Sequence, residues 1–147
     1  MSRRAAWTGL SVYLLALPVT AWWLIGDLSE ADGSDYMFRA PRFAEDHGQL
    51  IGMLATLVLV GCSVLFLSPP GRGALERRDA RAAVPLACLG IFLGFAYRVM
   101  TAAVDGANIG GGLMFMFGVA FVPSMLLVAL VQLRRRSRAD RLVRTDC

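Results

Sequence analysis

Apolar residues in this chain do not alternate with polar ones at helical spacing. They run together in four long blocks, at about 5–26, 49–67, 83–104 and 109–133. Each block is near the roughly 20 residues that a helix needs to cross about 30 Å of hydrocarbon. A soluble helical bundle would keep a polar face through such runs, and these keep none. The pattern predicts an all-α membrane protein: a single domain of four transmembrane helices in an up-down bundle.

The punctuation between the blocks supports four crossings. In the first block, Trp7 stands at one end and Trp22 with Trp23 at the other, as rings settled at two headgroup levels would. Pro18 is expected to kink this helix and free a carbonyl one turn earlier, with Thr20 placed to help satisfy such a group. Arg3 and Arg4 ahead of an apolar run, with Val19-Thr20-Ala21 as a cleavage site, have the outline of a secretory signal. The run continues through Trp22-Trp23-Leu24-Ile25-Gly26, so a retained first span is expected. The second block ends at Ser68-Pro69-Pro70-Gly71, which cannot continue a helix. A short corner at Asp105-Gly106-Ala107-Asn108 separates the third block from the fourth, and Pro123 is placed to kink the last span.

Charge then sets the orientation. The connection 27–48 carries Asp27, Glu30, Asp32, Asp35, Glu45 and Asp46 against Arg39 and Arg42. The next link carries Arg72, Arg77, Arg78 and Arg81 against Glu76 and Asp79, and the tail 134–147 carries Arg134, Arg135, Arg136, Arg138, Arg141 and Arg144. The N-terminus, the second link and the tail are thus basic, while the first link and the last corner are acidic or neutral. The positive-inside rule puts both termini in the cytoplasm, with 27–48 as an outer loop, in a multi-pass protein of the cell membrane. Arginines placed beside apolar runs argue against nucleic acid as a partner. The tail is expected to attract anionic lipid headgroups. Within the outer loop, the aromatic and basic mixture from Tyr36 to Phe43 suits either a segment folded back along the interface or a solvated loop.

The one charge inside a block is Arg98, about six residues or roughly 9 Å from the outer end of its span. Two arrangements relieve its insertion cost: snorkelling to headgroups, or pairing with an acid of the outer rim. Asp27, Glu45, Asp46 and Asp105 are the acids within reach, with Tyr97 and Thr101 as added hydrogen-bonding neighbours. Arg98 shares a helix face with Gly90 and Gly94, which favours the inward, paired arrangement. Those two glycines form a small-xxx-small pattern that lets helix backbones approach closely, inside one bundle or in a homo- or hetero-oligomer built through the third helix. The candidate polar site is therefore Arg98 with Asp27, Glu45, His47, Asp105 and Asn108.

No reaction class follows from these residues. The GANIGGG stretch at 106–112 lacks the strand and spacing of a phosphate cradle and reads as a tight hairpin with room for a neighbouring side chain. His47 is the single histidine, which excludes bis-histidine haem ligation within the chain, and no metal or other cofactor is expected. Cys62, Cys88 and Cys147 form no CxxC pair, and the first two are expected at similar depth on neighbouring helices. No carboxylate pair lies within a span. The reading that follows is a non-enzymatic accessory or structural membrane protein. The alternatives are a small transporter or channel centred on Arg98, and an outer-leaflet lipid-modifying enzyme using Glu45, His47 and Arg98.

Overall fold

The computed structural model describes residues 2–29, 37–68, 77–104 and 107–145. Among them lie four helices, α1 (Arg3–Ile25), α2 (Arg42–Leu67), α3 (Arg77–Thr101) and α4 (Ile109–Thr145). Each contains a stretch long and apolar enough to cross a membrane: Arg4–Ile25, Asp46–Leu67, Arg81–Thr101 and Ile109–Arg134.

The helix boundaries differ from the apolar blocks where polar residues are good helix formers. α2 begins at Arg42, a full turn and more before Gln49, because nothing after Pro41 breaks a helix and proline is well tolerated at a helix start. α3 begins at Arg77 and passes through Pro85, and it ends at Thr101, three residues short of Val104. α4 does not stop at the arginine cluster: its backbone stays helical to Thr145. The side chains of Glu45 and of the tail arginines beyond Arg134 lie outside what the structure describes, as does Asp105.

The helices pack as a row in the order α2, α1, α3, α4. Direct contact joins α1 to α2, α1 to α3 and α3 to α4, and among the described residues no other pair of helices touches. A four-helix bundle closed on itself would give every helix two neighbours; here α2 and α4 have one each. Burial follows the row. In the most apolar windows, 22% of α1 and 28% of α3 is buried, against 6% of α2 and 6% of α4. In a bilayer, lipid tails would be as apolar as the side chains of the outer helices, so no hydrophobic drive would close the row.

Glycine decides which faces meet. A Cβ at Gly94 would run into the Pro18 carbonyl oxygen of α1 and lie 2.9 Å from Ala21 Cβ. At Gly90 it would lie 3.3 Å from both Leu17 Cβ and Pro18 Cδ. The small face of the third helix is thus occupied within the chain. On the other flank of α1, a Cβ at Gly48 would lie 3.0 Å from the Trp22 ring, and Gly52 sits against Trp23, whose Cβ and Cγ leave no room for a methyl group. At the far end of the pair, Phe66 of α2 meets Tyr13 edge-on, with ring centroids 6.5 Å apart. Phe92 of α3 packs on Phe117 and Phe121 of α4 at 5.6 and 4.7 Å, so the aromatic stripe of α4 turns partly inward.

Pro18 sits inside an unbroken α1. The carbonyl that it leaves without an N–H partner, that of Leu14, faces the bare Cα of Gly90. Thr20 does not relieve it; the Thr20 hydroxyl is buried with no hydrogen-bond partner.

Candidate functional site

α1 ends at Gly26, whose φ of 76° is the one positive φ among the described residues. That left-handed turn, closed by the Gly26 N–H donating to the Trp23 carbonyl at 3.1 Å, is one that glycine adopts without steric cost. It delivers two acceptors to the end of α3. The Gly26 carbonyl accepts from Arg98 Nε, and Asp27 Oδ1 lies 3.2 Å from Arg98 Nη2. The guanidinium also lies over the Trp22 ring, 5.8 Å from its centroid, and Trp22 meets Tyr97 edge-on at 6.4 Å. Arg98 is thus paired inward, with its side chain 21% exposed, while the Asp27 side chain is 73% exposed.

Asp27 is itself held in place. Its Oδ1 accepts the Ser29 backbone N–H at 3.0 Å, and the Ser29 hydroxyl accepts the Ala103 N–H at 3.1 Å, which fastens the turn after α1 to the end of α3. The Ser29 backbone N–H and then the Ser29 hydroxyl favour the carboxylate most; burial opposes them, the Arg98 charge adds a lesser favourable effect, and the pKa lies below the ordinary 3.8. Asp27 is therefore an anion at any physiological pH.

These groups line a pocket of about 320 Å³ between α1, α2 and α3, walled by Trp22, Trp23, Gly26, Asp27, Ala44, Gly48, Gln49 and Arg98. Gln49 Oε1 accepts the Trp23 indole N–H at 3.0 Å, which links α2 to the same corner. Next to it lies an apolar groove of about 380 Å³, running inward past Pro18, Val19, Leu93 and Gly94. Trp22 and Ala44 border both spaces.

The other residues marked out by the sequence fall elsewhere. Asn108 is a structural clasp: its Nδ2 donates to the Val99 and Ala102 carbonyls at 3.2 and 3.3 Å, and its Oδ1 accepts the Gly111 N–H at 2.7 Å. It caps α4 and ties it to the end of α3. His47 is exposed, stacks on Phe43 at 6.3 Å and does not line the Arg98 pocket. Asp46 is exposed. Of the returning loop, Phe38 donates its N–H to the Met100 carbonyl at 3.1 Å, and Met37 Sδ would lie 3.0 Å from a Cβ at Gly111. Residues 37 and 38 therefore fold back over the α3–α4 corner, and Gly111 supplies the room expected of the glycine-rich hairpin. Among the described residues no three His, Cys, Asp or Glu side chains cluster as metal ligands would.

Three contributing residues carry little or no sequence signal as such. Gly48 and Gly52 repeat the i, i+4 spacing of Gly90 and Gly94, a signal present in the sequence and masked by the acidic turn before it. Gln49 carried no signal beyond its place one residue after Gly48.

No protein-family model matches the chain, and neither the curated proteins nor the solved structures contain a significant match to it. Fold and function therefore rest on the residues alone.

Proposed function

We propose that this chain is a non-enzymatic multi-pass protein of the cell membrane, an accessory or structural subunit, with its helices running up and down and both termini in the cytoplasm. The observation that carries this reading is the engagement of its polar groups. Arg98, the one charge deep in a span, is committed to Asp27, the Gly26 carbonyl and the Trp22 face, and Asn108 is committed to three backbone groups. Polar side chains committed in this way hold helix ends together, which is the work of assembly. The arginine distribution supplies the orientation.

The transporter reading draws its support from the polar pocket beside Arg98. It is weakened by the open row, which offers no interior enclosed by four helices. The lipid-modifying reading needs His47 beside Arg98, and the His47 ring lies on Phe43 outside that pocket.

The test combines abundance with topology. Arg98→Ala is expected to lower the amount of membrane-integrated protein, and reporter fusions in the second link and the tail are expected to read as cytoplasmic. An Arg98→Ala protein of normal abundance and stability, or an outward-facing tail, would overturn the reading.

A further inference from the structure

The polar pocket and the apolar groove adjoin along Trp22 and Ala44, which line both, so that a polar space lies beside an apolar one as an amphiphile requires. Arg98 and Gly94 lie about 6 Å apart along α3, and Gly26 and Pro18 about 12 Å apart along α1, at 1.5 Å per residue. The paired spaces therefore start at the helix ends, among charged and amide groups, and descend along a wall of Val19, Leu93 and Pro18. Each space falls within the roughly 300–1,000 Å³ of ordinary ligand sites.

The charges at its mouth select among headgroups. Arginine carries five N–H donors, of which one here goes to the Gly26 carbonyl and one to Asp27, and Arg98 lines the pocket. Phosphate, the acidic group common to phospholipid headgroups, is one that a guanidinium recognises bidentately. Asp27, anionic and mostly exposed, stands 3.2 Å from that guanidinium. The mouth thus pairs a cation with an anion and carries no net charge. An anionic headgroup would meet Asp27 as repulsion. A zwitterionic headgroup would place its phosphate on Arg98 and its ammonium on Asp27. A primary ammonium has three donors for a carboxylate, whereas a quaternary one depends on open aromatic faces, and the Trp22 face is already covered by Arg98.

We propose that the Arg98–Asp27 corner and the groove below it bind one phospholipid with an ethanolamine-type headgroup, its phosphate on Arg98, its ammonium on Asp27 and one acyl chain along Pro18, Val19 and Leu93. The inference rests on the membrane-spanning reading of the four helices and adds a ligand to it.

The experiment purifies the full chain from an equimolar mixture of dioleoyl phosphatidylethanolamine, phosphatidylglycerol and phosphatidylcholine and counts retained lipids by native mass spectrometry. The wild type is expected to retain phosphatidylethanolamine over phosphatidylglycerol by roughly threefold, the share of one exposed ion pair. Asp27→Asn leaves the mouth cationic and is expected to invert that preference. Ala44→Trp, at the junction of pocket and groove, is expected to lower retention of all three lipids, and Val19→Trp blocks the groove from α1 should the first variant not fold. Helix content by circular dichroism accompanies each variant. A wild type that holds phosphatidylglycerol equally or better would overturn the proposal, as would an Asp27→Asn profile like that of the wild type or a folded blocking variant that keeps its lipid. A chain recovered folded without detergent or lipid would instead overturn the membrane reading itself.

Discussion

At the scale of single residues, one side chain concentrates the polar chemistry of the spans. Arg98 is tolerated near the end of α3 because three partners meet it there, and two of them come from the turn that Gly26 makes possible. Arg98→Ala removes a charge-assisted hydrogen bond to a backbone carbonyl, an ion pair and a ring contact together. The expected loss is about 1.5–3 kcal/mol, the range for hydrogen bonds to charged groups, read as lower thermal stability in detergent. Asp27→Asn is milder, below about 1 kcal/mol, because that carboxylate is mostly exposed and its attraction is screened by solvent. Its effect also depends on pH. A carboxyl whose folded pKa lies below the unfolded 3.8 stabilises the fold fully above 3.8 and loses that contribution as pH falls through the lower folded value. The difference in Tm between wild type and Asp27→Asn should therefore stay constant from neutral pH down toward 3.8 and close only below it. A difference that closed near neutrality would assign the effect to another group.

At the scale of elements, close approach rather than side-chain bulk joins α1 to both its neighbours, and the glycines rank themselves by what a methyl group would meet. At Gly94 it meets backbone, the Pro18 carbonyl, which cannot swing aside; at Gly52 it meets the root of the Trp23 side chain, which is nearly as fixed. At Gly90 the neighbours stand at 3.3 Å and need give only slightly, and at Gly61 nothing lies within 4 Å. Thermal unfolding of alanine variants in detergent should therefore show Gly94→Ala and Gly52→Ala losing about 1–3 kcal/mol or more, Gly90→Ala losing little, and Gly61→Ala unchanged or more stable through helix propensity. Equal effects at all four positions would remove the close-approach account. This ranking also shows how far the elements were legible beforehand. The four helices long and apolar enough to cross a membrane, the inward pairing of Arg98 and the Gly90–Gly94 face all follow from hydropathy and i, i+4 spacing. Which rim acid meets Arg98 does not, because the answer depends on the left-handed turn at Gly26 and on Ser29 bonding to Ala103, contacts between residues far apart in sequence. Asn108 looked like a ligand-binding group for the same reason. A polar residue at a corner reads alike whether it binds a ligand or caps a helix, and only the Val99, Ala102 and Gly111 partners separate the two.

At the scale of the whole molecule, the order of the row is the property least visible in the sequence. In water, the polar side of a helix reveals which side must be covered; the membrane-length stretches of α2 and α4 keep no polar side, and their pattern does not say which helix they lie beside. The consequence is sharpest for the two cysteines in the spans. Cys62 on α2 and Cys88 on α3 were expected on adjacent helices, yet α1 stands between those helices, which make no direct contact among the described residues. A disulfide needs Cα atoms within about 7 Å, so the row forbids a Cys62–Cys88 bond within one chain even though Cys88 is exposed. Copper-phenanthroline oxidation of a Cys147→Ser protein in detergent, at concentrations where copies do not meet, should leave both thiols free to react with a maleimide. At high density in membranes any bond that forms should join two copies and run as a dimer on a non-reducing gel. An intramolecular Cys62–Cys88 bond formed rapidly and in high yield would bring α2 against α3 and close the row into a bundle. α2 would then cover a flank of α3 that is open in the row, and the groove beside Arg98 would change shape with it.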